Sequence, residues 1–416
     1  MRPGVAEAAL TAAILVLCSA GLLLNPDGGD PQSSSASAQV LWGAVYAYAI
    51  VGLWRCRYAA AMLVRRSLPL VFLVAELGLT AMWSADPAVT LKRAIGLLGT
   101  TAVAYYLVCR FEHRRALAIV AVAMGATVAM SLVAVAIFPS FGVMQDEYAG
   151  SWRGVFAHKN TAGAALALAI PALLVFLRSG ASLVRVAAIL AAVASAIFLV
   201  GTQSASAIVA TAVAASILVV VWLSRSARLR PFAIVLGIGL ALSMLMGVLH
   251  WQDAIDALGR DATLTGRTDI WPAALQAIAD KPLLGYGYSV FWLPDGPVLQ
   301  YIGADKGWHP YHAHEGFLQL ALDGGLVAVA TFGLVALDGL AAALSYARRT
   351  PLDIAPWPLV AIGTFLLLNL SDSLIAGFNS VIWVMFSVAY LSAVSARPLR
   401  ETQTARYPSR VASVPQ

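Results

Sequence analysis

The chain has 416 residues, 60% apolar and 12% charged, with a mean hydropathy of +0.80 and a formal net charge of +6. A water-soluble globule has roughly a quarter of its residues charged and under half apolar. This composition therefore excludes a single aqueous domain and requires many side chains to face lipid.

Apolar runs of membrane length are predicted at about 7–25, 39–54, 68–84, 94–109, 116–138, 160–177, 184–201, 205–224, 232–250, 326–346, 356–371 and 378–396. A helix satisfies its own backbone in the hydrocarbon region, so the expected class is all-α: a polytopic transmembrane bundle of about twelve spans. The first run has the length of a signal peptide, but its n-region holds a single Arg and no small-x-small site precedes Asn25; it reads as a retained span. Cys18, Cys56 and Cys109 are each alone, with neither disulfide nor metal-ligand spacing.

Charge sets the orientation. With the N-terminus in the cytoplasm, 19 of the 27 Lys and Arg fall in alternate connections, leaving 8 on the other side. This is the positive-inside pattern of one consistent topology, with both termini cytoplasmic. The arginines lie in short loops without interleaved aromatics, so the net charge does not point to nucleic acid. The predicted organisation is a bundle over 1–250, a large extracytoplasmic loop over 251–325, three last spans over 326–396 and a basic, mobile cytoplasmic tail over 397–416. No internal repeat of the transporter kind is present.

Polar residues gather at three places on the extracytoplasmic side. The connection at 139–159 ends in Trp152-Arg153-Gly154-Val155-Phe156-Ala157-His158-Lys159, where Arg153 and Lys159 are suited to lipid headgroups or to a phosphate-rich substrate. Within the large loop, 265–279 is predicted to form an amphipathic helix with Ile270, Trp271, Ala274, Leu275 and Ile278 on one face. Arg267 in its first turn would make an anion receptor, or would pair with Asp269 or Asp261. The last cluster is His309-Pro310-Tyr311-His312-Ala313-His314-Glu315, before a short apolar helix stopped by Gly324-Gly325. His314 is expected in the first turn of that helix, where the dipole keeps its ring neutral and fit to act as a base. His312, His314, Glu315 and His309 form no complete zinc motif, so no metal is expected. Glu76, Gln203 and Asp338, polar residues within spans, are expected to face the bundle interior.

Three ordered stretches carry a family resemblance: Arg153-Gly154-Val155-Phe156-Ala157-His158-Lys159-Asn160; Gly266-Arg267-Thr268-Asp269-Ile270-Trp271 running to Gly285-Tyr286-Gly287; and His312-Ala313-His314-Glu315-Gly316-Phe317-Leu318 with Gly324-Gly325. With the topology, they resemble the bacterial O-antigen ligase and polymerase superfamily of membrane glycosyltransferases. The resemblance implies an inner-membrane enzyme with its site on the periplasmic face. Such an enzyme moves an oligosaccharide from undecaprenyl pyrophosphate to an acceptor hydroxyl, without metal or other cofactor. It further implies His314 as the catalytic histidine and Arg267 as the pyrophosphate-holding arginine, with Arg153, Lys159, His312 and Glu315 as substrate-binding residues. The implied partners are the lipid-linked oligosaccharide, membrane lipid and other polysaccharide-assembly proteins. Two departures, Glu315 where ligases carry Asn, Ser or Gln, and Thr202-Gln203-Ser204-Ala205-Ser206 where ligases carry an Arg after a Ser, turn the resemblance towards exopolysaccharide repeat-unit polymerases. An O-antigen ligase is the alternative, with a polysaccharide transporter behind it.

Overall fold

The computed structural model describes residues 3–20, 36–145, 148–249, 267–302, 310–350 and 353–397, with backbone alone at 36–37, 241, 243–249 and 267–269. The regular structure among them is helical, apart from an isolated antiparallel bridge between Val143 and Trp152. The all-α expectation holds.

The helices are α1 (Val5–Ser19), α2 (Ala36–Arg55), α3 (Arg57–Arg66), α4 (Leu68–Leu79), α5 (Pro87–Arg110), α6 (His113–Ile137), α7 (Lys159–Leu174), α8 (Ser182–Gly201), α9 (Ala205–Ser224), α10 (Arg230–Leu249), α11 (Arg267–Asp280), α12 (Gly316–Arg349), α13 (Trp357–Leu368) and α14 (Val381–Ser395). Among the described residues, five helical stretches are long and apolar enough to cross a membrane: 113–137, 159–178, 182–201, 205–224 and 316–349. A sixth arises if α3 and the stretch 68–82, bent by 88°, form one broken span. The sequence does not reveal this bend. At the joint Ser67 donates to the Leu63 carbonyl and shares a 2.6 Å hydrogen bond with Tyr105. Shorter apolar helical stretches lie at 5–19, 230–240, 357–368 and 381–395.

Burial sorts the helices into centre and rim. In α14 nearly every side chain from Val381 to Val394 is buried, as expected of a helix apolar all round. It packs on α5, α12 and α13, and Phe332, Phe365, Trp383 and Phe386 stack between them, with Phe365 and Phe386 centroids 4.2 Å apart. By contrast α8 and α10 expose Leu183, Leu190, Ile197, Phe232 and Val235, the faces that lipid would cover. Cys56 and Cys109, isolated in sequence, meet thiol to thiol where α2 ends against α5, and both are free.

The segments read as cytoplasmic are tied to one another at one end of the bundle. Arg110 pairs with Glu7 at 2.6 Å, Arg115 donates to the Pro3 and Gly4 carbonyls, and His113 bonds Tyr346 and Ser395. Arg178 pairs with Asp353 at 3.0 Å, and Arg397 with Asp338 at 2.6 Å. Asp338 also accepts from Tyr390 at 2.9 Å, so this intramembrane acid locks α12 to α14. The remainder of the basic tail, 398–416, lies outside the described residues.

At the other end, α11 and the segment 286–302 fold over a small core of Ile270, Ala274, Ala277, Tyr286, Phe291, Trp292 and Val298. Leu275, expected on the buried face, is 56% exposed; Ala273 and Ala277 take that face instead, because the helix docks through small residues. The expected stop at Gly324-Gly325 is a kink without a loop. Gly325 has φ +70°, and a Cβ there would run into the Leu283 carbonyl. The break frees backbone groups that 282–287 takes up: Leu326 donates to Pro282 at 2.8 Å, and Tyr286 to Leu322 at 2.8 Å.

Candidate active site

The histidine segment is fixed through its backbone. Ala313 is fully buried; its carbonyl accepts from the Trp271 indole at 2.9 Å and its N–H donates to Gln319 Oε1 at 3.1 Å. Gln319 also accepts from Trp292 at 2.8 Å and donates to Asp323 at 3.0 Å. Asp323 accepts from the Ser289 N–H at 3.0 Å, and buried Arg93 donates to the Ser289 carbonyl. A polar chain thus runs from the second turn of α5 to the residue between the two histidines. Buried polar groups satisfied on this scale fix one geometry.

His312 and His314 lie on either side of Ala313 with ring centroids 4.0 Å apart. The His314 N–H donates to His312 Nδ1 at 3.2 Å, so a neutral His312 carries its proton on Nε2. His314 has φ +52°, a left-handed conformation uncommon for a side chain of this size and held by the contacts around it. It sits just outside α12, one residue before the N-cap, and not in the first turn as expected. The reason is Glu315, whose carboxylate caps the helix by accepting from Leu318 N–H at 2.5 Å. Burial pushes the Glu315 carboxyl above its ordinary range, while the Leu318 and Phe317 N–H groups pull it down. Asn and Ser are cap acceptors of the same kind. Glu315 is thus the N-cap of α12.

A third group joins the histidines that sequence reasoning did not find. Ligand-capable atoms of His312, His314 and Asp372 lie within 4.8 Å of one another, all half-buried. Asp372 follows α13, in a turn organised by fully buried Asn369, whose Oδ1 accepts from Leu374 and Ile375 N–H at 2.9 and 3.0 Å. Gly316 N–H donates to the Asn369 carbonyl at 2.7 Å, which brings this turn to the histidines. The available signal was a lone acid beside a span on the histidines' side. Two imidazoles and a carboxylate can relay a proton; they are also a donor set that a divalent metal accepts.

Trp271 decides where α11 points. Arg267 lies four residues before it, one turn away on the same helix face, so its backbone opens α11 next to the Ala313 segment. The Arg267 side chain and His309 lie outside the described residues.

Arg153 and Lys159 form a second cluster. Arg153 Nε donates to the Phe141 carbonyl at 2.9 Å. Lys159 is only 6% exposed, 3.5 Å from Ser151 Oγ and 4.4 Å from the centroid of Tyr148; Ser151 in turn bonds Gln203. His158 caps α7 by accepting from Asn160 N–H. Helices α7 and α13 pack together, and the Arg178–Asp353 pair joins the far end of one to the start of the other. Their opposite ends, at Lys159 and Leu368, therefore share the end of the bundle that holds Asp372.

Residues 190–333 match the family described as O-Antigen ligase. The matched stretch contains Arg267, His312, His314 and the Gly325 kink, whereas Arg153, Lys159 and Asp372 lie outside it. The chain is also similar to a curated relative, the exopolysaccharide production protein ExoQ of Rhizobium meliloti (strain 1021). The two are 28% identical over 275 residues, 62% of this chain and 60% of that protein. The match thus spans about three fifths of the relative's length.

Proposed function

We propose that this chain is an inner-membrane glycosyltransferase that polymerises lipid-linked oligosaccharide repeat units into an exopolysaccharide. The observation that carries the reading is the meeting of His312, His314 and Asp372 beside the helix that Arg267 opens. In the proposed reaction His314 takes the proton of an acceptor sugar hydroxyl. The hydroxyl oxygen forms a bond to the anomeric carbon as the bond to undecaprenyl pyrophosphate breaks, and the pyrophosphate leaves with the electron pair. Arg267 and Arg153 hold that developing charge, and Lys159 adds to the field from beneath Tyr148. His312 and Asp372 orient His314 and receive its proton. A single displacement of this kind inverts the anomeric centre and uses no metal.

The topology proposed with it has about twelve crossings, both termini in the cytoplasm and the histidine site on the periplasmic face. The ties among the basic segments at the opposite end support it. The similarity to an exopolysaccharide production protein favours a polymerase, and the match to the O-antigen ligase family favours the alternative, a ligase. Deleting the gene and extracting carrier lipid separates them. A polymerase leaves single repeat units on the carrier and a ligase leaves full-length chains; accumulation of neither refutes both.

A further inference from the structure

At the end of the bundle opposite His314, a cavity of about 430 Å³ lies among Arg178, Val219, Trp222, Leu223, Arg225 and Leu229. Arg225 reaches the Ala347 and Thr350 carbonyls, at the far end of α12 from the histidines. Beyond the kink at Gly325 that helix runs unbroken to Arg349, on the order of 36 Å at 1.5 Å per residue, so this cavity is separate from the candidate active site.

Its chemistry is that of a phosphate receptor with an apolar wall. Two guanidiniums share the cavity. Arg178 lies 5.6 Å over the Trp222 ring and pairs through Nε with Asp353 at 3.0 Å, a partly exposed acid. Arg225 stands at the C-terminus of α9, and the turn that follows adds Arg228 and Arg230 without any acid. The Trp222 indole N–H is buried and meets no acceptor among the described residues. Val219, Leu223 and Leu229 complete the lining, and α9 is one of the helices long and apolar enough to cross a membrane. Paired guanidiniums bind phosphate oxygens bidentately, a tryptophan suits the headgroup level, and the aliphatic wall continues into the hydrocarbon. Basic pockets between membrane helices take anionic headgroups for these reasons.

We infer that this cavity binds the headgroup of an anionic phospholipid. The excess of cation over acid selects a net negative headgroup over a zwitterionic one, and the aliphatic wall selects a lipid over free phosphate.

Native mass spectrometry of the purified full chain, titrated with phosphatidylglycerol in mixed micelles, tests the inference. The expected result is a saturable tight-binding lipid that weakens about thirtyfold in R178A/R225A, from about fivefold per guanidinium. R178K/R225K keeps the charge and is expected to lose only part of that. R57A/R65A, which removes two exposed arginines elsewhere, is expected to change binding less than about twofold if the contact is local. Equal loss in the two alanine pairs would overturn the site in favour of diffuse charge. Unchanged binding in R178A/R225A, with thermal unfolding equal to wild type, would overturn it outright. Equal binding of phosphatidylcholine, or displacement by inorganic phosphate at the lipid's own concentration, would overturn the lipid assignment.

Discussion

The two ends of α12 are built on different principles. At its start, Ala313, His314 and Gly316 are held by hydrogen bonds to the backbone, from Trp271, to Gln319, His312 and Asn369, with φ +52° at His314. At its finish, the contacts are between charges: Arg397 with Asp338, and Arg178 with Asp353 near the Arg225 turn. Backbone-directed bonds fix position to a fraction of an ångström, as a proton transfer requires. Partly exposed ion pairs are looser and individually weak, but their sign selects the side of the membrane on which a loop settles. The comparison teaches that one end of this helix is built for geometry and the other for placement.

The comparison breaks most sharply at His314. Under the proposed mechanism H314A lowers polymer formation in reconstituted vesicles about 10²- to 10⁴-fold while leaving thermal unfolding nearly unchanged. If His312, His314 and Asp372 instead hold a divalent metal, a chelator abolishes wild-type activity; under the base reading chelation leaves the rate intact. Next comes R267A, expected to cost about 10²- to 10³-fold in turnover, with R267K recovering only part because the bidentate fork is gone. Single-turnover kinetics with a carrier-pyrophosphate donor reads that loss in the chemical step.

Smaller effects separate positioning from charge. W271F removes the donor to the Ala313 carbonyl at a cost of about 1 kcal/mol, read as a several-fold fall in kcat with KM little changed. At the other end, D338N keeps an acceptor for Tyr390 but loses the Arg397 pair. It is expected to destabilise by about 1 kcal/mol or less without touching turnover, measured by thermal unfolding in detergent. The smallest effect is at Glu315. Its raised carboxyl pKa means that the folded chain binds this proton more readily than the unfolded chain does. The resulting stability is full below the ordinary carboxylate value of 4.5 and is lost as pH rises through the folded value. E315Q should therefore show a weaker gain in unfolding temperature than wild type on acidification from neutrality. An identical gain in both proteins removes Glu315 as the source.

Much of the candidate site was legible because its residues lie close together in the chain. The spacing of His312, His314 and Glu315 before an apolar run, and the amphipathic period opening at Arg267, are visible in short windows. Asp372 was not, since it lies 58 positions and two helices, α12 and α13, beyond His314, and only packing through Asn369 and Gly316 brings them together. The capping role of Glu315 was hidden for a related reason. A carboxylate before a helix is either a ligand or a cap, and only the backbone angle at His314 shows that the helix begins after it. Lys159 was expected to meet lipid headgroups or a phosphate-rich substrate; its burial against Tyr148 and Ser151 was not visible in the sequence, since their approach goes with the Val143–Trp152 bridge.

The sequence by itself determined that this chain is helical, with segments long and apolar enough to cross a membrane, because apolar length is a one-dimensional quantity that a bilayer reads directly. Tertiary structure alone decided which helices are central and which face lipid, where α3 and α4 bend, and how α11 docks on the histidine segment. Those outcomes depend on close contacts between residues far apart in the chain, such as Trp271 with Ala313 and Ser67 with Tyr105. Hydrophobic period gives the direction of a face, but shape and hydrogen-bond partners choose what it meets.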